Sequence, residues 1–149
     1  MEEKIKIMIV DDHEVYREGL KTALNNVVNF EVVAEASNGM EFLEMIETAD
    51  ADVILMDVKM PVVNGLEATR IAMENNPDLR IITLSMYNEE TFIRQMKSYG
   101  ARSYILKGSN KNDLVNTIYN VVAGKTFYPV DFSRNQISQN NKNLITSKN

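Results

Sequence analysis

Three features of the sequence predict an α/β fold built on a doubly wound, parallel, five-stranded sheet. Short runs rich in Ile, Val and Leu recur along the chain, and such runs suit strands buried on both faces. Each run is followed by a longer stretch whose apolar residues return at helical spacing. Two of the runs end abruptly in carboxylates, at Asp11-Asp12 and at Asp57, where open α/β sheets place their chemistry. Every connection is long enough for a right-handed helical crossover, so the strands are expected to be parallel, with helices on both faces.

Residues 5–10 form the first predicted strand and run into Asp11-Asp12. Over residues 13–26, Tyr16, Leu20, Ala23 and Leu24 mark a helical stripe that Val27 continues. Residues 30–35 are rich in β-branched side chains and predict a second strand. Asn38-Gly39 reads as a turn, and Met40, Phe42, Leu43 and Ile46 as a short helix. The third strand is Ile54-Leu55-Met56-Asp57, followed by a loop that Pro61 stiffens and Gly65 releases. A third helix over residues 66–75 is stopped by Asn76-Pro77. Residues 79–85 predict the fourth strand, and residues 89–99 the fourth helix, with Gly100 as its C-cap. Residues 102–106 are a short fifth strand leading to Lys107-Gly108. The fifth helix, capped by Ser109 or Asn110, carries Leu114, Val115, Ile118, Val121 and Val122 and ends at Gly124. A strand order of 2-1-3-4-5, the flavodoxin-like choice, makes the first and third strands neighbours. Asp11, Asp12 and Asp57 then meet at one switch point.

Composition narrows the function. A chain of 149 residues is long enough for one domain with a genuine core. It has no cysteine and one histidine, which excludes disulfides, thiolate chemistry and a multi-histidine metal site. No apolar run approaches the roughly 20 residues of a membrane helix. Met1-Glu2-Glu3-Lys4 lacks the apolar core of a signal peptide. A cytoplasmic protein without membrane contacts is expected. The net charge of −5 is a poor match for a nucleic-acid backbone, so this segment is expected to bind no nucleic acid directly. Residues 125–149 shift to a polar composition, with only Ile137, Leu144 and Ile145 as apolar residues beyond about Ser133. They predict a linker or tail, disordered toward its end.

Three carboxylates at adjacent strand ends repel one another. Holding them ionised and close calls for a cation, and an oxygen-only ligand set suits Mg²⁺. The plainer alternatives are that Asp11-Asp12 only cap the first helix and that Asp57 is a turn residue. Lys107, at the end of the fifth strand, can reach over the same edge to Asp57 or to an anion held there, instead of being a solvated lysine. Ser85 ends the fourth strand, where its hydroxyl could donate to that anion or merely serve a turn. Tyr104 is expected to point away from the Lys107 side, toward the outer edge by the fourth and fifth helices. His13 reads as a first-turn helix residue and not as a catalytic one. Neither a P-loop, a dinucleotide fingerprint nor a nucleophile elbow is present.

Taken together, these residues resemble the receiver domain of two-component response regulators, with its CheY-like (βα)5 fold, over about residues 4–124. The resemblance rests on Val10-Asp11-Asp12, on Asp57 with Met60-Pro61 and Gly65, on Ser85, and on Tyr104 with Lys107. The Asp-His-Glu opening of the first helix, Leu84-Ser85-Met86 and Tyr104-Ile105-Leu106-Lys107-Gly108 are most similar to the NarL/FixJ (LuxR-type) subfamily. The resemblance implies that Asp57 accepts a phosphoryl group from a sensor histidine kinase or phosphotransfer protein. It implies that Asp12, Asp57 and the backbone carbonyl of Lys59 ligate Mg²⁺ (or Mn²⁺), with Asp11 acting largely through bound water. Lys107 would neutralise the phosphoryl group, making Asp57 and Lys107 the catalytic pair. Ser85 and Tyr104 would be the switch residues, and Lys59 and Tyr87 would tune the phosphoryl lifetime. The output would leave by the fourth helix, fifth strand and fifth helix, with homodimer formation on phosphorylation as one route. Transcription would be controlled through a DNA-binding domain absent from this chain. Such a protein is a signalling switch that assists its own phosphorylation and dephosphorylation, not an enzyme in the usual sense. A phosphohydrolase of the haloacid dehalogenase type needs a second carboxylate two residues after its nucleophile, and Lys59 stands there. A pseudo-receiver that never phosphorylates is opposed by the intact set of Asp11, Asp12, Asp57 and Lys107.

Overall fold

Alternating apolar strands and amphipathic helices fold as their periods dictate. The computed structural model describes residues 3–86 and 89–126, so Tyr87 and the tail beyond residue 126 lie outside the described residues. The elements are β1 (Ile5–Val10), α1 (Glu14–Asn25), β2 (Phe30–Ala36), α2 (Gly39–Ala49) and β3 (Val53–Asp57), then α3 (Gly65–Asn75), β4 (Ile81–Ser85), α4 (Glu90–Ser98), β5 (Ser103–Leu106) and α5 (Lys111–Val122). All strand pairs are parallel, in the order β2-β1-β3-β4-β5. The expected doubly wound order is therefore the observed one.

The period of two along each strand divides the core into two layers. Ile7, Ile9, Val53, Leu55, Ile82, Leu84 and Ile105 face α1 and α5, where they pack with Leu20, Leu24, Leu114, Ile118 and Val121. Met8, Val10, Ile54, Met56 and Ile81 face the other way and pack with Phe42 of α2, Ala68 and Ala72 of α3 and Met96 of α4. Small residues on α3 let that helix lie close to the sheet.

Departures from the expected boundaries have local causes. β4 begins at Ile81 and not at residue 79, because the Leu79 N–H closes a turn onto the Asn76 carbonyl. Asn38-Gly39 is the start of α2, not a free turn. Asn38 is the N-cap and its side chain accepts from the Glu41 N–H. Asn64 and Asn110 cap α3 and α5 in the same way, accepting from Glu67 and Asp113. Each such cap contributes about 1 kcal/mol, and the acidic side chain in each first turn adds a favourable dipole interaction.

The loop after Asp57 is folded tightly back on its own strand. The Gly65 N–H donates to the Val58 carbonyl at 2.8 Å, and a Cβ at position 65 would stand 1.9 Å from the Asp57 carbonyl oxygen. The Gly39 N–H donates to the Val63 carbonyl at 3.0 Å, so the start of α2 pins the same loop. Between these two anchors Val62 adopts φ 69°, a left-handed conformation that a β-branched residue tolerates poorly. Gly65→Ala is expected to lower stability by about 1–3 kcal/mol, because only backbone movement can relieve the overlap. Urea denaturation at unchanged m-value measures this, and an unperturbed midpoint would show that the loop can move aside freely.

Candidate functional site

Alternation past the strand ends decides which side chains meet. Ile7 and Ile9 lead to Asp11, Val53 and Leu55 lead to Asp57, and Ser103 and Ile105 lead to Lys107. All three polar residues thus continue the face that α1 covers. Ser85 and Tyr104 have the opposite parity. They lie toward α4.

Lys107 Nζ lies 2.6 Å from Asp11 Oδ2 and 3.4 Å from Asp57 Oδ2, with its side chain only 5% exposed. The expected pairing with Asp57 is present, yet the lysine sits closer to Asp11. The Tyr16 ring, with its centroid 4.8 Å from the ammonium, closes the remaining side. Asp11 divides its oxygens: Oδ2 faces Lys107, and Oδ1 accepts the His13 N–H at 2.8 Å. Arg17 donates to the Asp11 carbonyl and to Glu35, which ties the corner after β1 to β2. The N-cap of α1 is His13, which makes no side-chain cap bond, so neither aspartate is the α1 cap.

His13 is placed more pointedly than a first-turn residue needs to be. Its Nδ1 lies 3.1 Å from Asp11 Oδ1, 3.5 Å from Asp12 Oδ1, 3.9 Å from Asp57 Oδ2 and 3.3 Å from Lys107 Nζ. Asp11, Asp12, His13 and Asp57 each offer one ligand atom, all within 4.8 Å of one another. Asp11 Oδ2 and Asp57 Oδ2 are buried, and the Lys107 ammonium is the cation they share. Carboxylate oxygens gathered in an oxygen-rich cluster fit a hard divalent cation such as Mg²⁺.

The electrostatics follow from this crowding. Burial is the main cause that pushes the Asp57 carboxyl up to about 7; the Asp11 charge adds to it, Lys107 opposes it, and Asp12 adds a smaller increment. The Tyr16 phenol is pushed up to about 12, by burial first and then by Asp11 and Asp57.

A cleft of about 320 Å³ opens over the site, lined by Asp12, Asp57, Lys59, Met86, Glu89 and Lys107 among others. Across it Lys59 Nζ pairs with Glu89 Oε2 at 2.9 Å, while Ser85 Oγ lies 3.4 Å from Glu89 Oε1. Sequence reasoning gave Lys59 a role through its carbonyl and another in phosphoryl lifetime, and Glu89 none. Nothing in their spacing announces a bridge between two loops. Tyr104 points away from the Lys107 side and toward α4, as expected, and is more deeply buried than an edge position suggests. It is 2% exposed, packed against Ile93 of α4 and Leu106. The cause is that α4 roofs the edge strand. Burial also raises the Tyr104 phenol. Tyr87, the other expected lifetime residue, lies outside the described residues.

Residues 7–119 match the family model for the response regulator receiver domain. The chain belongs to the response regulator receiver family. Among its relatives, the transcriptional regulatory protein DegU of Brevibacillus brevis is 37% identical over 138 residues, spanning 93% of this chain and 58% of DegU. The response regulator UvrY of Escherichia coli K12 is 34% identical over 130 residues, spanning 87% of this chain and 60% of UvrY. The receiver chain thus spans less than two thirds of the length of these relatives. Among solved structures, the signal receiver domain of NarL from Mycobacterium tuberculosis superposes with a TM-score of 0.78 at 29% identity, covering 83% of this chain and all of that one. A LuxR-family response regulator from Aurantimonas sp. SI85-9A1 gives a TM-score of 0.81 at 29% identity, covering 93% of this chain and 98% of that one. These relatives support the NarL/FixJ subfamily. The family is a signalling family, and no helix among the described residues is long and apolar enough to cross a membrane.

The raised Asp57 pKa has a measurable consequence. Its contribution to folding is fully present below the unfolded pKa near 3.8 and is lost as pH rises through about 7. In EDTA, the thermal midpoint of the receiver should fall between pH 5 and pH 8 more steeply than that of Asp57→Asn. The variant should be the more stable form at pH 8, by on the order of 1 kcal/mol after solvent screening. Parallel pH curves for the two proteins would remove Asp57 as the destabilising group.

Proposed function

We propose that this receiver is a phosphorylation-operated switch in which Asp57 accepts a phosphoryl group from a sensor histidine kinase or phosphotransfer protein. The observation that carries the reading is the buried Asp57 carboxylate held between Asp11 and the Lys107 ammonium, at the floor of an open cleft. An Asp57 oxygen attacks phosphorus in line, the bond from phosphorus to the donor's imidazole nitrogen breaks, and that nitrogen takes up a proton. Such a transfer needs positioning and charge compensation more than covalent help. Lys107 supplies a fixed positive charge that can follow the phosphoryl oxygens. Asp11, Asp12, Asp57 and the Lys59 carbonyl are the proposed ligands of Mg²⁺ or Mn²⁺, which when bound would offset the negative charge of the carboxylates and the phosphoryl group.

Transfer adds roughly one to two negative charges at Asp57. Ser85 then moves its hydroxyl from Glu89 toward a phosphoryl oxygen, and the Tyr104 ring readjusts under α4. A bias of ~1–3 kcal/mol on the surface formed by α4, β5 and α5 is enough to favour a homodimer or another partner. Because DegU and its like are transcriptional regulators, the proposed output is transcription through a DNA-binding segment, with no DNA contact by the acidic receiver itself. Self-catalysed dephosphorylation, tuned by Lys59, belongs to the same proposal, as does a cytoplasmic location.

With a small phosphodonor and Mg²⁺, the receiver should gain one base-labile phosphoryl group, read by intact mass. Asp57→Ala should abolish it, and equal labelling of that variant would sink the assignment. Tyr104→Ala should leave labelling intact and weaken phosphorylation-dependent dimerisation at least several-fold, read by sedimentation. Loss of labelling instead would make Tyr104 a structural residue.

A further inference from the structure

We propose that Glu89 is a positioning residue that restrains phosphorylation of Asp57: its carboxylate holds the Lys59 ammonium at the rim of the cleft, away from an incoming phosphodonor. The proposal rests on the reading of Asp57 as the phosphoryl acceptor. Two lysines line the cleft that holds Asp57. Lys107 is buried and already engaged by Asp11 and Asp57. The Lys59 side chain is 66% exposed, so its ammonium is the more accessible of the two positive charges.

Glu89 occupies that ammonium. Its Oε2 lies 2.9 Å from Lys59 Nζ, and its Oε1 lies 3.4 Å from Ser85 Oγ. A lysine and a glutamate on flexible arms in open water would hold each other weakly. This pair is braced on both sides. The Glu89 side chain is only 17% exposed, and the Lys59 ammonium also lies 5.2 Å from the centroid of the Phe92 ring. Glu89 stands at the N-cap of α4 yet makes no side-chain cap bond, so its carboxylate serves the cleft and not the helix. The positive end of the α4 dipole favours a negative charge at this place.

The arrangement has a consequence for the reaction. A donor such as acetyl phosphate brings negative charge into a cleft lined by Asp12, Asp57 and Glu89. A cleft whose charge opposes its substrate slows the approach, and one whose charge attracts it speeds the approach. With Lys59 neutralised by Glu89, the buried Lys107 is the lysine left to offset the carboxylates. Once released, Lys59 can swing its flexible stem over the cleft and meet the phosphoryl oxygens as they arrive. Glu89 thus acts on the reaction through Lys59 and not on the reacting atoms.

The test is the initial rate of Asp57 labelling by acetyl phosphate with Mg²⁺, read by intact mass on the full chain. In that reaction an Asp57 oxygen attacks phosphorus, and acetate leaves with the electrons of the broken P–O bond. Wild type is compared with Glu89→Gln, and Lys59→Met with the double variant. Glu89→Gln should label about threefold faster or more at low ionic strength. The gain should vanish in the Lys59→Met background. It should vanish also in ~1 M KCl, where the screening length is about 3 Å. A purely structural effect of the substitution would depend on neither. Equal rates for wild type and Glu89→Gln would overturn the proposal. So would an equal gain in the Lys59→Met background, which would assign the effect to the Glu89 charge alone. A gain that persists in high salt would likewise overturn it. Absence of labelling at Asp57 in wild type would overturn it together with the reading of Asp57 as the acceptor.

Discussion

The repulsion among Asp11, Asp12 and Asp57, and its compensation by one buried lysine, is the constraint that organises the molecule. Two unit charges about 4 Å apart interact by ~4 kcal/mol at the effective dielectric of a protein surface, and more in a drier site. A sheet that gathers carboxylates at adjacent strand ends must therefore deliver a cation to the same place. Here it comes from β5, which lies beyond β4 from the strand that carries Asp57. A long side chain with an apolar stem is needed to span that distance, and Lys107 has one. The Tyr16 ring lies against the ammonium and gives the buried positive charge a further favourable contact.

That same lysine links the charge site to Ser85 and Tyr104, the proposed switch residues. Its N–H donates to the Ser85 carbonyl at 2.8 Å, so the end of β5 is tied to the end of β4. Alternation then sends Lys107 to the α1 side of the sheet and Ser85 and Tyr104 to the α4 side. A force on the ammonium is felt by the backbone that carries the hydroxyl and, three residues upstream, the buried aromatic ring. Glu89 completes the connection from outside. It holds Lys59 of the β3–α3 loop with one oxygen and approaches Ser85 with the other. The two loops flanking the cleft are thereby joined. The β3–α3 loop is strained, with Val62 in a left-handed conformation.

The strands, their order and the convergence of Asp11, Asp57 and Lys107 were legible in the sequence because they follow from backbone periodicity. A strand that alternates along Ile7, Ile9 and Asp11 has no freedom over which face the last residue joins. What could not be read depends on side-chain packing between distant segments. The closer approach of Lys107 to Asp11 than to Asp57 reflects the Tyr16 ring beside it, and a helical stripe shows only that Tyr16 faces inward. His13 was read as a helix-start residue from its position, and its position is correct. Its ring orientation is set by contacts with three aspartates, two of them adjacent in sequence and one far away. Alternation along β5 placed Tyr104 on the α4 side, but its near-complete burial depends on where α4 lies across that strand. The Lys59–Glu89 bridge joins residues thirty apart, each with an ordinary solvated alternative.

Lys107 stands 2.6 Å from Asp11 and 3.4 Å from Asp57, beside a carboxyl that burial raises. Burial is the main cause that pushes the Asp57 carboxyl up to about 7, which favours its neutral form relative to a solvated aspartate. The carboxyl is a weaker nucleophile while protonated, so the burial that shelters the site makes its reactivity conditional on added positive charge. In the proposed reaction the balance reverses. A phosphorylated Asp57 carries up to about two negative charges in place of a fraction of one, and so becomes the stronger attractor. Lys107 must then shift away from Asp11 toward the phosphoryl oxygens, drawing on a main chain that is bonded to Ser85. On this argument the switch needs no separate sensor of the phosphoryl group. The resting position of one lysine, nearer to Asp11 than to Asp57, gives that proposed change its direction.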